Sequence, residues 1–356
     1  MIFDPILDLF RGKAVTIPPM DGALKPNNAL DEADLLAEAQ APDNLCGNGQ
    51  YLFFSSGNRV LAIEAGDGAP YEVAKFDSAV SALAAAPGQP LAIGLDDGTL
   101  RLMSESGDVR DLAAPGGLKC PTAFAFDGKG SLVVCQGSSR HKPSDWAVDI
   151  MEKNEAGSVW RIDLANGKAA SLVQNLAFPY GVLVEADGSV VVSEAWRHRL
   201  LRLPANGGAP VEVLAKLSGY PARLTRAADG GAWLALFAPR NRLIEFTLLE
   251  NAYRADMMRE VPREYWIAPA LSPQSSFLEP LQAGGVKTMG IHKPWSPSRS
   301  YGLVVKLDAK LQPQASYHSR ANGRRHGVTA VAEFGGRVLA ASKGGDAILN
   351  IGASGV

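Results

Sequence analysis

The stretch FPYGVLVEADGSVVVSEAW at residues 178–196 decides the fold. A proline opens a short apolar strand, an Asp-Gly pair makes a turn, and a second apolar strand returns. Asp-Gly readily takes the positive φ values that join neighbouring antiparallel strands, so the segment reads as a β-hairpin. The same unit recurs in CPTAFAFDGKGSLVVCQ (120–136), YPARLTRAADGGAWLALF (220–237) and RHGVTAVAEFGGRVLAASK (325–343). A weaker copy is AVSALAAAPGQPLAIGLDDGTLRLM (79–103), and the most degenerate is APDNLCGNGQYLFFSSGNRVLAI (41–63). Third strands follow in VWRIDLANG (159–167), LLRLPANGG (200–208), LIEFTLLEN (243–251) and AILNIGASG (347–355).

About six copies of three or four strands predict an all-β chain, a six-bladed β-propeller of four-stranded antiparallel blades. Each sheet buries its faces on its neighbours, and closing the ring removes free edges. A sandwich or barrel accounts for the strands but not for the repeat. Residues 41–356 form the propeller, and residues 1–40 are an N-terminal extension with a ring-closing segment. Within that extension DPILDLFRGKAV is apolar at helical spacing, and DEADLLAEA supplies either the outermost strand of the ring or a short helix before it. A helical and loop insertion lies around residues 250–300. ENAYRADMMREV reads as a helix stopped by Pro262, followed by a long aromatic-bearing loop. Loops of that length are usually lids or binding elements.

The 356 residues are 46% hydrophobic and 20% charged, an ordinary globular composition. A formal charge of −2 leaves no broad basic surface, which argues against nucleic acid as a partner. No run of eighteen apolar residues occurs, so no membrane-spanning helix is expected. Cys46, Cys120 and Cys135 lack CxxC spacing and read as buried reduced thiols in a cytoplasmic protein. MIFDPILDLF has no basic leader region.

FPYGVLVEADGSVVVSEAWRHRLLRL and RRHGVTAVAEFGGRVLAASKGGDAI resemble the strictosidine synthase-like propellers. The senescence-marker protein and gluconolactonase group shares the turn pattern. The likeness runs from about residue 20 to the end of the chain, and it is specific for fold more than for chemistry. It implies a divalent cation, usually calcium, near the axis, held by inner-strand oxygens. Carried over copy by copy, its ligand positions fall at Asp43 with Asn44 beside it, near Thr122, at Tyr180 and at Ala222, followed by Arg223. A phenol and a methyl group thus replace two ligands, so no cofactor is expected, and Asp43 and Asn44 are the ligands should a metal bind. The last-blade glutamate of the synthases aligns with Thr329, which argues against the alkaloid-forming reaction.

Inner-strand starts converge at one mouth of a propeller. The candidate catalytic residues there are His326 as general base, Tyr180 as oxyanion donor and Asp43 as orienting acid. The substrate-binding candidates are Arg223, whose fork suits an anion, with Asn44 and Thr122. Plainer alternatives stand beside these roles. His326 follows Arg324 and Arg325 as a rim residue would, and Arg223 paired with Asp43 would plug an inactive centre. Glu194 and Trp196 read as structural, and Asp145, Asp149 and His141 as a solvated loop. The favoured function is a hydrolase acting on a small oxygenated, anionic lactone or ester at a degenerate metal site. The alternatives are a non-catalytic small-molecule-binding propeller associated with a transporter, and an enzyme forming or breaking C–N bonds. A homo-oligomer is a further possible partner state.

Overall fold

In the computed structural model, residues 16–355 are described apart from 67, 274, 277, 280–286, 289–290 and 293–297. The apolar segment DPILDLFRGKAV lies outside them. The described strands form six antiparallel four-stranded blades. After a short helix α1 (Ala29–Glu32) comes β1 (Asp34–Glu38), which belongs to the last blade. Blade 1 is β2 (Pro42–Gly47), β3 (Tyr51–Ser56), β4 (Arg59–Glu64) and β5 (Tyr71–Lys75). Blade 2 is β6 (Val80–Ala84), β7 (Leu91–Leu95), β8 (Leu100–Met103) and β9 (Val109–Leu112). Blade 3 comprises β10 (Pro121–Phe126), β11 (Ser131–Gln136), β12 (Gly157–Asp163) and β13 (Ala169–Leu176), with α2 (Trp146–Met151) inserted between β11 and β12.

Blade 4 is β14 (Pro179–Val184), β15 (Val190–Glu194), β16 (Arg199–Leu203) and β17 (Val211–Leu214). Blade 5 starts with β18 (Gly219–Arg226) and β19 (Ala232–Pro239). It then passes through α3 (Arg242–Leu249), α4 (Asn251–Glu260) and a small ladder, β20 (Lys287–Thr288) with β21 (Ile291–His292). It resumes with β22 (Gly302–Leu307) and β23 (Pro313–Ser319). Blade 6 is β24 (Val328–Phe334), β25 (Arg337–Ser342), β26 (Ala347–Ala353) and, from the other end of the chain, β1. The inner strands touch in the order β2, β6, β10, β14, β18, β24 and back to β2, which closes the ring.

One expectation fails in blade 5. LIEFTLLEN, read from sequence as the third strand, is helix α3, and the third strand is β22. Asn241 caps the helix, its side-chain oxygen accepting from the Leu243 N–H at 2.8 Å. Ile244 and Thr247 are buried at helical spacing. A short apolar run does not by itself separate the two periods. The helix stopped by Pro262 is α4, and DEADLLAEA supplies both a helix end and the closing strand β1.

Neighbouring blades pack face to face. Leu183, Val191 and Leu200 of blade 4 meet Leu224, Leu234 and Val305 of blade 5 in one buried cluster, each worth roughly 1.5–3 kcal/mol on full burial. A second feature repeats in all six blades. The register of the inner hairpin slips just after its start: between Asp43 and Cys46, Val80 and Ala82, Pro121 and Ala123, Pro179 and Gly181, Pro221 and Leu224, and Val328 and Ala330. Such bulges kink a strand and re-aim the unpaired residue. The residues stepped over include Asn44, Ser81, Thr122, Tyr180, Arg223 and Thr329, one or more from each blade.

Candidate functional site

Arg223 occupies the centre of the ring. Its Nη1 donates to Asp43 Oδ1 of blade 1 at 2.5 Å and lies 3.5 Å from the Thr329 carbonyl of blade 6. Its Nη2 donates to the Ser81 carbonyl of blade 2 at 2.8 Å and to the Thr122 carbonyl of blade 3 at 3.0 Å. The Tyr180 ring of blade 4 lies against the guanidinium, 4.9 Å from its carbon, within cation–π range. One side chain from blade 5 therefore bonds four other blades and rests on the fifth. Cavities of about 200 and 280 Å³ open on its two sides, and Arg223 lines both.

Asp43 is shared between two cations, because its Oδ2 accepts from Lys343 Nζ at 2.8 Å. Burial alone would raise its pKa, but Arg223 and Lys343 override burial and hold the carboxyl at about 2. Burial likewise pulls the Lys343 ammonium down, and Asp43 and Tyr180 outweigh it, leaving Lys343 above its ordinary value. Burial, reinforced by Asp43, raises the Tyr180 phenol. The group is thus one carboxylate and two cations, a net single positive charge at the floor of the smaller cavity.

The walls of that cavity are aromatic: Trp146, Phe178, Tyr180, Trp196 and Phe237 all line it. Phe178 stacks on Trp196 with centroids 4.5 Å apart, and Trp146 meets Phe237 edge-on at 5.5 Å. Phe178 has φ 57°, a left-handed conformation costly for a bulky residue and held here by its packing. The Trp196 indole N–H donates to Asp149 at 2.8 Å, which fixes the ring's orientation. Trp146 comes from the blade 3 insertion and Leu271 from that of blade 5. The two insertions are joined where Arg263 bonds Asp145 at 2.9 Å and the Ser144 carbonyl at 2.7 Å. Asp96, on the rim, already accepts from the Ser144 N–H and hydroxyl at 2.7 and 2.8 Å.

The structure brings Asp43, Thr122, Tyr180 and Arg223 together around this cavity. Thr122 contributes its carbonyl, while its hydroxyl donates to the Pro179 carbonyl at 2.6 Å. Asn44, at φ 61°, turns its amide to the Ser55 hydroxyl at 2.8 Å and does not line the cavity. His326 is also away from it. Its Nε2 donates to the Arg320 carbonyl at 2.8 Å, which leaves Nδ1 to accept from the Ser300 hydroxyl at 2.8 Å. Burial lowers its pKa, the Arg320 contact opposing. The assignment of His326 as base is therefore corrected, since both ring nitrogens are committed to structural partners. Its backbone still matters: the His326 and Gly327 carbonyls accept from Gly344 and Lys343 N–H and hold the turn that carries Lys343.

Sequence reasoning missed Lys343 and set Trp196 aside as structural. Both follow the end of a second strand, and antiparallel pairing puts that end beside the start of the first: Pro179 faces Glu194, and Val328 faces Ser342. That pairing was the available signal. Glu194 itself is structural, bonded to Arg197, Arg199 and the Ala177 N–H. Asp149 is fully buried rather than solvated.

The divalent cation implied by the resemblance does not fit these residues. The oxygens it would need are engaged by a guanidinium, and an ammonium stands on the remaining carboxylate oxygen. Among the described residues no group of three or more His, Cys, Asp or Glu side chains is placed to hold a metal ion. No helix among them is long and apolar enough to cross a membrane.

Comparison with known proteins agrees with this architecture. The strictosidine synthase family model matches residues 125–207, within blades 3 and 4. The adipocyte plasma membrane-associated protein of Salmo salar is 24% identical over 324 residues, covering 80% of this chain and 75% of that protein. Strictosidine synthase-like protein 10 of Arabidopsis thaliana is 28% identical over 152 residues, 42% of this chain and 38% of that one. Among solved structures, the calcium-binding regucalcin of Agrobacterium tumefaciens superposes with a TM-score of 0.56 at 14% identity, covering 86% of this chain and 84% of its own. A luciferin-regenerating enzyme gives 0.53 at 12% identity, with the same coverages of 86% and 84%. The chain is thus a six-bladed β-propeller similar to the strictosidine synthase-like proteins, on the fold of the regucalcin and gluconolactonase group.

Proposed function

We propose that the axial cavity is a metal-independent binding pocket for a small ring-bearing organic acid, or for a lactone or ester presenting an equivalent carbonyl. The observation that carries this reading is the pairing of five aromatic walls with a half-buried ammonium at the floor. Aromatic faces contribute large apolar contact area, and Lys343 spends one N–H on Asp43 and keeps two for a ligand oxygen. An apolar cavity of about 150 Å³ accepts benzene, so this one suits a single ring with a short polar arm. The net positive floor favours the anionic form.

Hydrolysis of a lactone or ester is the second reading. It is favoured by Lys343 and Tyr180, two donors close enough to influence each other's protonation and able to polarise one carbonyl. A general base is what the described lining lacks. Asp43, held at about 2, is a poor proton acceptor, and Asp96 is engaged by Ser144.

Calorimetric titration and thermal unfolding with benzoate, phenylacetate, simple lactones and aryl esters test both readings. Carboxylates are expected to raise the unfolding midpoint with the logarithm of their concentration above Kd, and Lys343→Met to weaken them at least tenfold. Equal binding by wild type and Lys343→Met would sink the pocket assignment. Turnover that Lys343→Met abolishes would establish the hydrolase.

A further inference from the structure

We infer that the Arg223 guanidinium is a covalently tethered replacement for an axial metal ion, and that removing it uncovers an oxygen-lined cation site. A hard cation in a protein collects six to eight oxygens from carboxylates, amides and backbone carbonyls. Arg223 collects oxygens of the same kinds from four blades: the Asp43 carboxylate and the Ser81, Thr122 and Thr329 carbonyls. All of its partners stand at or beside the bulge of an inner strand, the one point where every blade turns a residue toward the axis.

The fork does not exhaust the oxygens available. Ser81 Oγ, on the blade 2 bulge residue whose carbonyl accepts from Arg223, is buried without a hydrogen-bond partner, and so is Arg223 Nε. Buried polar atoms are normally paired. An unused oxygen beside a planar cation is what a donor set suited to a rounder ion leaves over.

Charge sets the choice of guest. Without Arg223, Asp43 and Lys343 form a neutral pair, a site for a monovalent cation shaped like the lost head group. With Lys343 also neutralised, the ring carries one negative charge and no competing ammonium, and a divalent ion fits. This inference stands apart from the organic ligand of the cavity, because none of its readouts uses that ligand.

The experiment compares wild type, Arg223→Ala and Arg223→Ala/Lys343→Met by thermal unfolding and calorimetry, with sodium chloride matching ionic strength. Arg223→Ala is expected to unfold about 5 °C below wild type, as loss of a buried charge partner implies, and methylguanidinium to restore part of the difference. Calcium is expected to stabilise the double variant and to bind it saturably by calorimetry, one ion per chain, and to leave wild type unchanged. An Arg223→Ala midpoint equal to wild type overturns the inference. So does calcium uptake by wild type as tight as by the double variant, or the failure of both guests to stabilise their variants. Should Arg223→Ala not fold, Arg223→Lys decides: one ammonium cannot reach four strands, and a midpoint equal to wild type overturns the proposal.

Discussion

Asp43 stands in contact with both axial cations, so its ionisation is tied to the integrity of the ring. Its carboxyl is held at about 2 against an ordinary 3.8, so the folded state favours the charged form. That contribution is complete above about pH 4 and is lost as the pH falls to about 2. Asp43→Asn is expected to cost about 3–5 kcal/mol at pH 7, because two cations lose their buried partner. The stability gap between wild type and variant, measured by chemical denaturation, should narrow as the pH falls from 4 to 2. Glu245, also held at about 2, titrates alike in both proteins and cancels in the difference. A gap constant across that range would show that Asp43 does not carry the ionic load assigned to it. Asp43 and Arg223 were legible in the sequence because each sits at a strand start marked by a repeated proline and turn. His326 sits at such a start too, yet its ring is claimed by Ser300, from the end of the blade 5 insertion, and by the carbonyl of Arg320, from the turn after β23. No local pattern announces contacts of that kind.

At the scale of the hairpin, the bulge aims residues and the glycine after it permits blades to approach. Gly181 follows Tyr180, and a Cβ added there would overlap the Ala222 carbonyl oxygen and stand 2.8 Å from Arg223 Cα. Those atoms are backbone and cannot swing aside. Gly181→Ala is therefore expected to destabilise by about 1–3 kcal/mol through overpacking and to displace Arg223, weakening ligands at Lys343 as well. Gly116→Ala, where an added Cβ meets nothing within 4 Å, is the neutral control. Equal denaturation midpoints for the two variants would refute close blade approach as the reason for Gly181. Hairpin geometry also explains why Lys343 escaped notice and Trp196 was read as structural. Alternation along one strand finds the inner-strand residue, whereas the residue beyond the second strand becomes a neighbour only once the pairing is drawn. Blade 5 hid its third strand for a related reason: the insertion separates β19 from its partner β22, and an amphipathic helix fills the place where a strand was due.

Across the whole molecule, six imperfect copies were enough to fix the ring, because each copy leaves two faces that only another copy can cover. Closure depends on a segment far from its partner: β1 pairs with β26, Asp34 opposite Asn350 and Glu38 opposite Ala347. The closure adjoins the axis. Asp346, on the turn after Lys343, accepts from the Ala41 N–H at 2.7 Å, two residues before Asp43. Losing residues 1–39 exposes the edge of β26, an invitation to pairing with other chains, and also removes the Ala39 N–H that donates to the Asp346 carbonyl at 3.3 Å, loosening the turn that holds Lys343 against Asp43. A chain beginning at Gln40 is accordingly expected to unfold at lower temperature, to self-associate on size-exclusion chromatography, and to bind carboxylates at Lys343 more weakly. A peptide of residues 27–39 added in trans should reverse all three, since Asn27 and Asp31 also dock on blade 5 and the turn after it, through Ser316, Ser319 and Arg324. Were the shortened chain to keep full ligand affinity while losing stability, closure and axis would be independent, and the ring would be held at its centre by Arg223 alone.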